Sequence, residues 1–447
     1  MFESSLLFFT GIGAFVVGLG AAILIVWRDL GPVARLTAPQ RVALVVALGG
    51  GVLAFGLKLT VIETLTFAGR DRLAPVLTPA EPSEPEAAFE VGRPIWEPLP
   101  RVAPAPAGDP TTPEKVALGR RLFFDTALSR DGTLSCASCH DLDRGGADGR
   151  PTAVGIDGAV GSRNTPTVWN AAFQARLFWD GRAGSLEEQA LGPIANPIEM
   201  GADVDDVARR LAADPSWRAD FVAAFGPAAA IEPATIARAL AAFERTLVTP
   251  DAPYDRFLAG DTAALTPRQI RGMSLFETVG CIVCHAGPGF SRASLLAPEG
   301  GRAGLRRFPS LATPYTEKYR LTDDLGAARG GTAGIWRVPS LRNVALTGPW
   351  LHNGSVDDLS EVVRIMATVQ AGREVSADGR VATRVEWSAE TRRLTRRTPA
   401  ALSEADIADI VAFLEALTGD GLRKKARAAA TATATASTEP PLASRSP

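Results

Sequence analysis

The chain has 447 residues, 46% of them hydrophobic and 21% charged, with a formal net charge of −2. At roughly 100–200 residues per domain, that length allows two or three units. Near-neutral charge argues against nucleic acid as a partner, which leaves a basic footprint. Four cysteines in so long a chain exclude a disulfide-dense secreted scaffold.

From the N-terminus, residues 6–27 carry no charge and predict a transmembrane helix, since about 20 apolar residues cross a bilayer. A second apolar run over 42–62 predicts another, with Lys58 near an end where it can snorkel. Arg28, Arg35 and Arg41 in the connector predict that it faces the cytoplasm and that both chain ends face the other side. Residues 1–65 thus read as a membrane anchor. Proline recurs through 66–111, which predicts an extended, semi-rigid linker. Residues 423–447, with Lys424-Lys425 and an Ala-Thr run, read as a disordered tail.

The body between reads as short helices joined by loops rich in Gly and Pro. Ser185-Leu186-Glu187-Glu188 has the form of a capping box. Thr266-Pro267 offers an N-cap followed by proline in the first helical position. Leu359, Val362, Val363 and Met366 share one helical face, as do Ile407, Ile410, Val411, Leu414 and Leu417 after Ser403. Strand signals are few.

All four cysteines fall in one motif present twice: Cys136-Ala-Ser-Cys139-His140 and Cys281-Ile-Val-Cys284-His285. This is the attachment motif of c-type haem, in which two thiols bond the porphyrin and the adjacent His binds iron. A zinc ribbon wants its cysteine pairs about 15–20 residues apart, and a thioredoxin-like pair wants a βαβ setting; neither is present. Two covalent haems are therefore expected. Covalent haem attachment takes place outside the bacterial cytoplasmic membrane, which predicts an inner-membrane protein whose catalytic domains face the periplasm. Met is the other common axial ligand. Met273 reads as a core residue on the face of Ile270, which leaves Met200 and Met366 as candidates.

Residues 112–420 resemble the bacterial di-haem cytochrome c peroxidases. The likeness rests on both haem motifs and on Arg163-Asn164-Thr165-Pro166-Thr167, Phe178-Trp179-Asp180-Gly181-Arg182, Asn196-Pro197-Ile198-Glu199-Met200, Val338-Pro339-Ser340-Leu341-Arg342-Asn343 and His352-Asn353-Gly354-Ser355. The resemblance implies an all-α fold of two cytochrome-c-like haem domains, preceded here by the two transmembrane helices. The first, 112–250, would hold the low-potential peroxidatic haem on His140. The second, 251–422, would hold the high-potential haem on His285 and Met366, with its C-terminal helix free to pack on the first domain. Glu199 corresponds to the family's catalytic acid–base, Gln189 to a distal amide, and Trp179 to the tryptophan between the haems. Asn164, with the main-chain carbonyls of Thr347 and Pro349, corresponds to a calcium site. His352 corresponds to a histidine near the high-potential haem.

One departure stands out: the loop 151–162 has no His, whereas many family members cap the peroxidatic iron with one from this loop. The implied activity is reduction of hydrogen peroxide with electrons from a small cytochrome c or cupredoxin, or from the quinol pool, in a monomer or a homodimer. Two alternatives stay open. One is a tryptophylquinone-forming di-haem enzyme acting on a protein substrate, which would carry Tyr in place of the axial Met. The other is an anchored di-haem electron carrier.

Overall fold

The computed structural model describes residues 96–297, 300–302, 304–327, 334–373, 375–377, 380–383 and 401–438. The chain divides at Glu84/Pro85, and all described residues belong to the unit Pro85–Pro447. The expectation of transmembrane helices is corrected here. Among the described residues no helix is long and apolar enough to cross a membrane, and the segments 6–27 and 42–62 lie outside them. The inner-membrane location and the quinol route rested on those segments and are withdrawn with them.

Eleven helices are described: α1 (Pro113–Phe124), α2 (Leu186–Ala195), α3 (Val204–Ala213), α4 (Pro215–Phe225), α5 (Pro233–Glu244), α6 (Pro253–Leu258), α7 (Pro267–Val279), α8 (Pro314–Lys318), α9 (Leu359–Ile365), α10 (Glu404–Glu415) and α11 (Asp420–Thr438). The fold is not wholly α-helical. Strands β1 (Leu305–Arg307) and β2 (Ile335–Arg337) form an antiparallel pair with Leu305 opposite Arg337. Strands β3 (Val375–Ala377), β4 (Arg380–Thr383) and β5 (Leu402–Ser403) form a sheet in the order β4-β3-β5.

Helix starts follow their capping chemistry. Thr112 caps α1 by accepting from Lys115 N at 3.3 Å, with Pro113 behind it. Thr266 and Gln269 form a reciprocal box on α7, again with Pro in the first turn. Ser403 and Asp406 do the same for α10. Satisfying otherwise orphaned N–H groups in this way fixes where short helices begin.

The core falls into two main clusters. One gathers side chains between Leu118 and Leu247. The other gathers Tyr254 to Leu417, together with Trp96. Each lobe is closed by a pair of crossing helices that meet at glycine. A Cβ on Gly119 of α1 would lie 1.9 Å from Ala239 O of α5, and one on Gly272 of α7 would lie 1.8 Å from Asp409 O of α10. Phe243 and Phe413 sit one helical turn further along in the two copies. Only a residue without Cβ allows backbones this close.

Two segments differ from expectation. The end of the linker packs onto the body: Trp96, Leu99 and Ala103 are buried, and Leu99 N donates to Asp255 Oδ1 at 2.9 Å. The segment expected as a disordered tail is helical to Thr438, as alanine-rich sequence with Arg and Lys favours; residues 439–447 lie outside the described residues. Helix α11 reaches the first lobe, where Lys425 Nζ stands 3.8 Å from Asp143.

Candidate haem cavity and its two lobes

Both Cys-x-x-Cys-His motifs begin as single 3-10 turns, Cys136–Ser138 and Cys281–Val283, ending in a helical Cys. The four thiols are free and half-buried. Burial pushes Cys136 and Cys281 up to about 12 and Cys139 up to about 11.

Each histidine is oriented by a main-chain carbonyl just downstream. His140 Nδ1 donates to Gly146 O at 3.1 Å, and His285 Nδ1 donates to Phe290 O at 3.0 Å. A carbonyl can only accept, so the proton sits on Nδ1 and Nε2 is left as the lone-pair nitrogen. Burial depresses both imidazoles and favours the neutral form. A neutral ring with Nδ1–H tied to the backbone is the usual preparation of a metal-binding Nε2.

A second motif repeats behind each histidine: Pro166-Thr-Val-Trp-Asn170 and Pro339-Ser-Leu-Arg-Asn343. The main chain of Pro166 lies against His140 and that of Pro339 against His285. Thr167 Oγ1 donates to Gly145 O at 2.6 Å, and Ser340 Oγ donates to Gly289 O at 2.7 Å. Both asparagines adopt the left-handed conformation, with φ of 63° and 62°. Spacing of the form Pro-Thr/Ser-x-x-Asn was legible in the sequence, but only alignment of the two halves on each other brings it out.

Both motifs open onto one cavity of about 920 Å³. That is near the upper end of the about 300–1,000 Å³ usual for ligand sites. Cys136, Cys139, His140, Cys281, Cys284 and His285 all line it, as do Glu199, Gln189, Trp179, Asn164, Met366, His352 and Thr347. Pro349 is not among the lining residues. The lining is mostly apolar and holds paired thiols with pre-oriented imidazoles, which fits covalently attached haem.

Glu199 is half-buried in the turn that follows α2. Burial raises its carboxyl, against a hydrogen bond from Asn196 Nδ2 to Oε1 at 2.7 Å. Its main-chain O accepts from Ile156 N at 2.9 Å, so the loop 151–162 is laid over it. Asn196 escaped notice in the sequence, where it reads only as a helix stop before proline. Gln189 projects from α2, and its amide has no protein partner among the described residues.

Trp179 is fixed at both ends. Its Nε1 donates to Asn164 O at 2.8 Å, and its own carbonyl accepts from Arg337 N of β2 at 2.8 Å. Asn164 also donates through Nδ2 to Arg150 O at 2.9 Å and through its main-chain N to His352 O at 2.8 Å. His352 is 3% exposed and stacks on Trp336 at 4.1 Å. Burial lowers it to about 4, so it is neutral at physiological pH.

Met366 caps α9, and from it a π-helical turn runs to Gln370. Such turns widen the helix locally and recur at functional sites. Met200 is 5% exposed, packs in the first core and also lines the cavity. Met273 is fully buried in the second core, as its helical face suggested. Among the described residues no group of three or more His, Cys, Asp or Glu could hold a metal ion.

The family model of di-haem cytochrome c peroxidase matches residues 113–263. The cytochrome c peroxidase Ccp of Escherichia coli is 38% identical over 326 residues, covering 71% of this chain, and the chain spans only 61% of that protein's length. The cytochrome c551 peroxidase of Pseudomonas aeruginosa is 35% identical over 343 residues, covering 75% of this chain and 88% of that protein. A crystal structure of a MauG-like protein associated with microbial copper homeostasis aligns with a TM-score of 0.58 at 33% identity, covering 75% of this chain and 97% of that one.

Proposed function

Because this chain belongs to the di-haem cytochrome c peroxidase family, and so is an oxidoreductase with two c-type haems, we propose that it reduces hydrogen peroxide to water at the lobe of His140. Cys136, Cys139 and His140 would hold the haem that would supply the iron at which peroxide is reduced, and Cys281, Cys284, His285 and Met366 would hold the haem that would supply a one-electron relay.

The observation that carries this reading is the shared cavity, lined at once by both haem motifs and by Glu199, Gln189 and Trp179. Reducing peroxide to two waters takes two electrons and two protons. Glu199 in its ionised form accepts a proton from one peroxide oxygen and returns it to the other, which leaves as water. Asn196 holds that carboxylate in place and opposes the effect of burial on it. Gln189 offers its amide N–H to orient the peroxide. Trp179, clamped by Asn164 and Arg337, gives a rigid aromatic bridge between the lobes. Electrons come from a small cytochrome c or a cupredoxin.

Calcium belongs to the same proposal. Asn164 would offer its side-chain oxygen beside the carbonyls of Thr347 and Pro349, a donor set that suits a hard cation. Chelation with EGTA followed by add-back tests it: unchanged turnover and unchanged spectra would remove calcium from the account.

The test of the main reading is oxidation of reduced cytochrome c by peroxide, in the wild type and in Glu199→Gln. Robust wild-type turnover with loss in the variant is expected. A second reading, oxidation of a protein-bound tryptophan, draws on the MauG-like structural neighbour and on the absence of His from 151–162. Met366 in the cavity wall stands against it. Peroxide-dependent oxidation of a partner protein, without turnover of reduced cytochrome c, would favour that alternative.

A further inference from the structure

The closing helices of the two lobes can be laid on each other residue by residue, and at one cavity position they differ in kind. Three pairs of contacts fix the register. Gly119 meets Ala239 as Gly272 meets Asp409. Asn170 N donates to Leu247 O at 2.8 Å as Asn343 N donates to Leu417 O at 3.2 Å. Thr249 N donates to Asn170 Oδ1 at 2.9 Å as Gly419 N donates to Asn343 Oδ1 at 3.1 Å. In this register Leu240 corresponds to Ile410 and Glu244 to Leu414. All four line the cavity. Where the second lobe presents a leucine, the first presents a carboxyl.

Glu244 is 6% exposed. Its carboxyl makes no hydrogen bond or ion pair among the described residues. It is the last residue of α5, where main-chain carbonyls place partial negative charge. The charges acting on it are those of Arg245, which is ion-paired to Glu187 of α2 at 2.7 Å, and of Glu187 itself. The other basic side chains on the packed elements are engaged elsewhere: Lys115 and Arg238 with Asp109, Arg121 with Asp220, Arg209 with Asp206, Arg120 over the Phe124 ring and Arg210 on Ser129 O. Glu244 in turn raises the thiol of Cys136, which bonds the porphyrin and not the iron. Burial pushes Glu244 up to about 8, so it is mostly neutral at pH 7.

A buried acid without a partner, beside a centre whose charge changes by one, exchanges protons in step with that charge. We propose that Glu244 is the proton-coupled, potential-setting residue of the first lobe. Where Glu244 is ionised, entry of one electron from a one-electron donor at the haem that Cys136, Cys139 and His140 would hold draws one proton from water onto its carboxylate and leaves hydroxide in the solvent. Glu244 returns that proton when the electron leaves. The bond made is the carboxyl O–H and the bond broken is an O–H of the water that gives the proton; the reverse transfer restores both. Leu414 gives the second lobe no such group. This coupling needs only the attached haems, so failure of peroxide turnover would refute the proposed function and leave it standing.

The test is an optical redox titration of the holoprotein from about pH 6 to about pH 10, following each haem separately. Below about pH 8 the first lobe's reduction equilibrium should be flat; above it, it should fall by up to tenfold per pH unit, which is 59 mV for one electron. The second lobe should show no such fall in that window. Glu244→Gln and Glu244→Leu should abolish the fall while keeping both haems attached. A wild-type first lobe that is flat throughout, or a Glu244→Gln protein with the wild-type slope, overturns the proposal. If neither variant folds, dye-detected proton uptake on reduction of the wild type just above pH 8 decides it, and no uptake refutes it.

Discussion

Removing the Asn196 amide is expected to move the pH dependence of turnover rather than abolish it. Asn196 Nδ2 donates to Glu199 Oε1 at 2.7 Å, and this bond lowers a carboxyl that burial raises. A hydrogen bond to a charged group is worth about 1.5–3 kcal/mol. Glu199 is only half-buried, so the lower part of that range applies. Asn196→Ala should therefore raise the carboxyl, with each 1.36 kcal/mol lost worth about a tenfold change in its ionisation equilibrium. Glu199 works as a base when ionised, so activity is present above its pKa and lost as pH falls through it. The acid limb of kcat/KM should therefore move to higher pH by the same amount. At a pH below the wild-type limb the loss is about 10–40-fold, while the high-pH plateau is kept. Glu199→Gln can still accept from Asn196 through its amide oxygen, so the turn is preserved. It should lose about 10²–10⁴-fold at every pH, or about 3–5 kcal/mol. The assay is steady-state oxidation of reduced cytochrome c by peroxide across pH, with haem content checked for each protein. A uniform drop in the Asn196→Ala plateau with an unmoved limb would mean that Asn196 is merely structural. Glu199→Gln activity within about threefold of wild type would mean that Glu199 is not the base.

Gly272→Ala should destabilise by about 3 kcal/mol or more, because overpacking outweighs the usual gain from alanine in a helix, with Asp409 O only 1.8 Å from the new Cβ. Thermal melting should show a Tm lower by roughly 6–12 °C, and an unchanged or higher Tm would refute the close crossing. Met366→Leu should lower the reduction potential of the second lobe's haem and add a high-spin component to its spectrum, since Met ligation raises potential; identical spectra would remove Met366 from the ligand set. With no His in 151–162 to close the first lobe, the oxidised protein should turn over peroxide without prior reduction. A lag removed by pre-reduction in stopped-flow traces would contradict that.

Covalent chemistry was the part of the site most open to reading from sequence, because Cys-x-x-Cys-His fixes local geometry within five residues. Met366 and Glu199 were reached only through longer stretches of likeness, since a lone Met or Glu carries no signature. Glu244 gave no signal at all: it ends an apolar helix, and its contrast with Leu414 exists only once contacts such as Asn170–Leu247 and Asn343–Leu417 set the register. Helix starts at Ser185, Thr266 and Ser403 follow local capping and were readable. The small strands were missed because β1 and β2 are three residues each and owe their form to pairing across the chain. The linker was misread at its end, where Trp96 and Leu99 among the prolines are core residues.

Trp96 has a consequence for the order in which the molecule is assembled. It packs against Tyr254, Phe290 and Phe413, with ring centroids 6.4, 6.2 and 6.2 Å away. A few residues on, Leu99 and Ala103 cover a cluster that includes Phe173, Leu186 and Ala241. This stretch precedes these partners in the chain, and Phe413 follows it by several hundred residues. The first lobe, whose core needs only residues from Leu118 to Leu247, can close before the rest of the chain is in place, as N-terminal domains commonly fold first. The second must wait for its final helix and for a strand of chain made several hundred residues earlier, a separation that slows folding. Cys136 and Cys139 can thus stand in a formed lobe while Cys281 and Cys284 are still in an open one, so the two attachment sites meet their haems in different states of the chain.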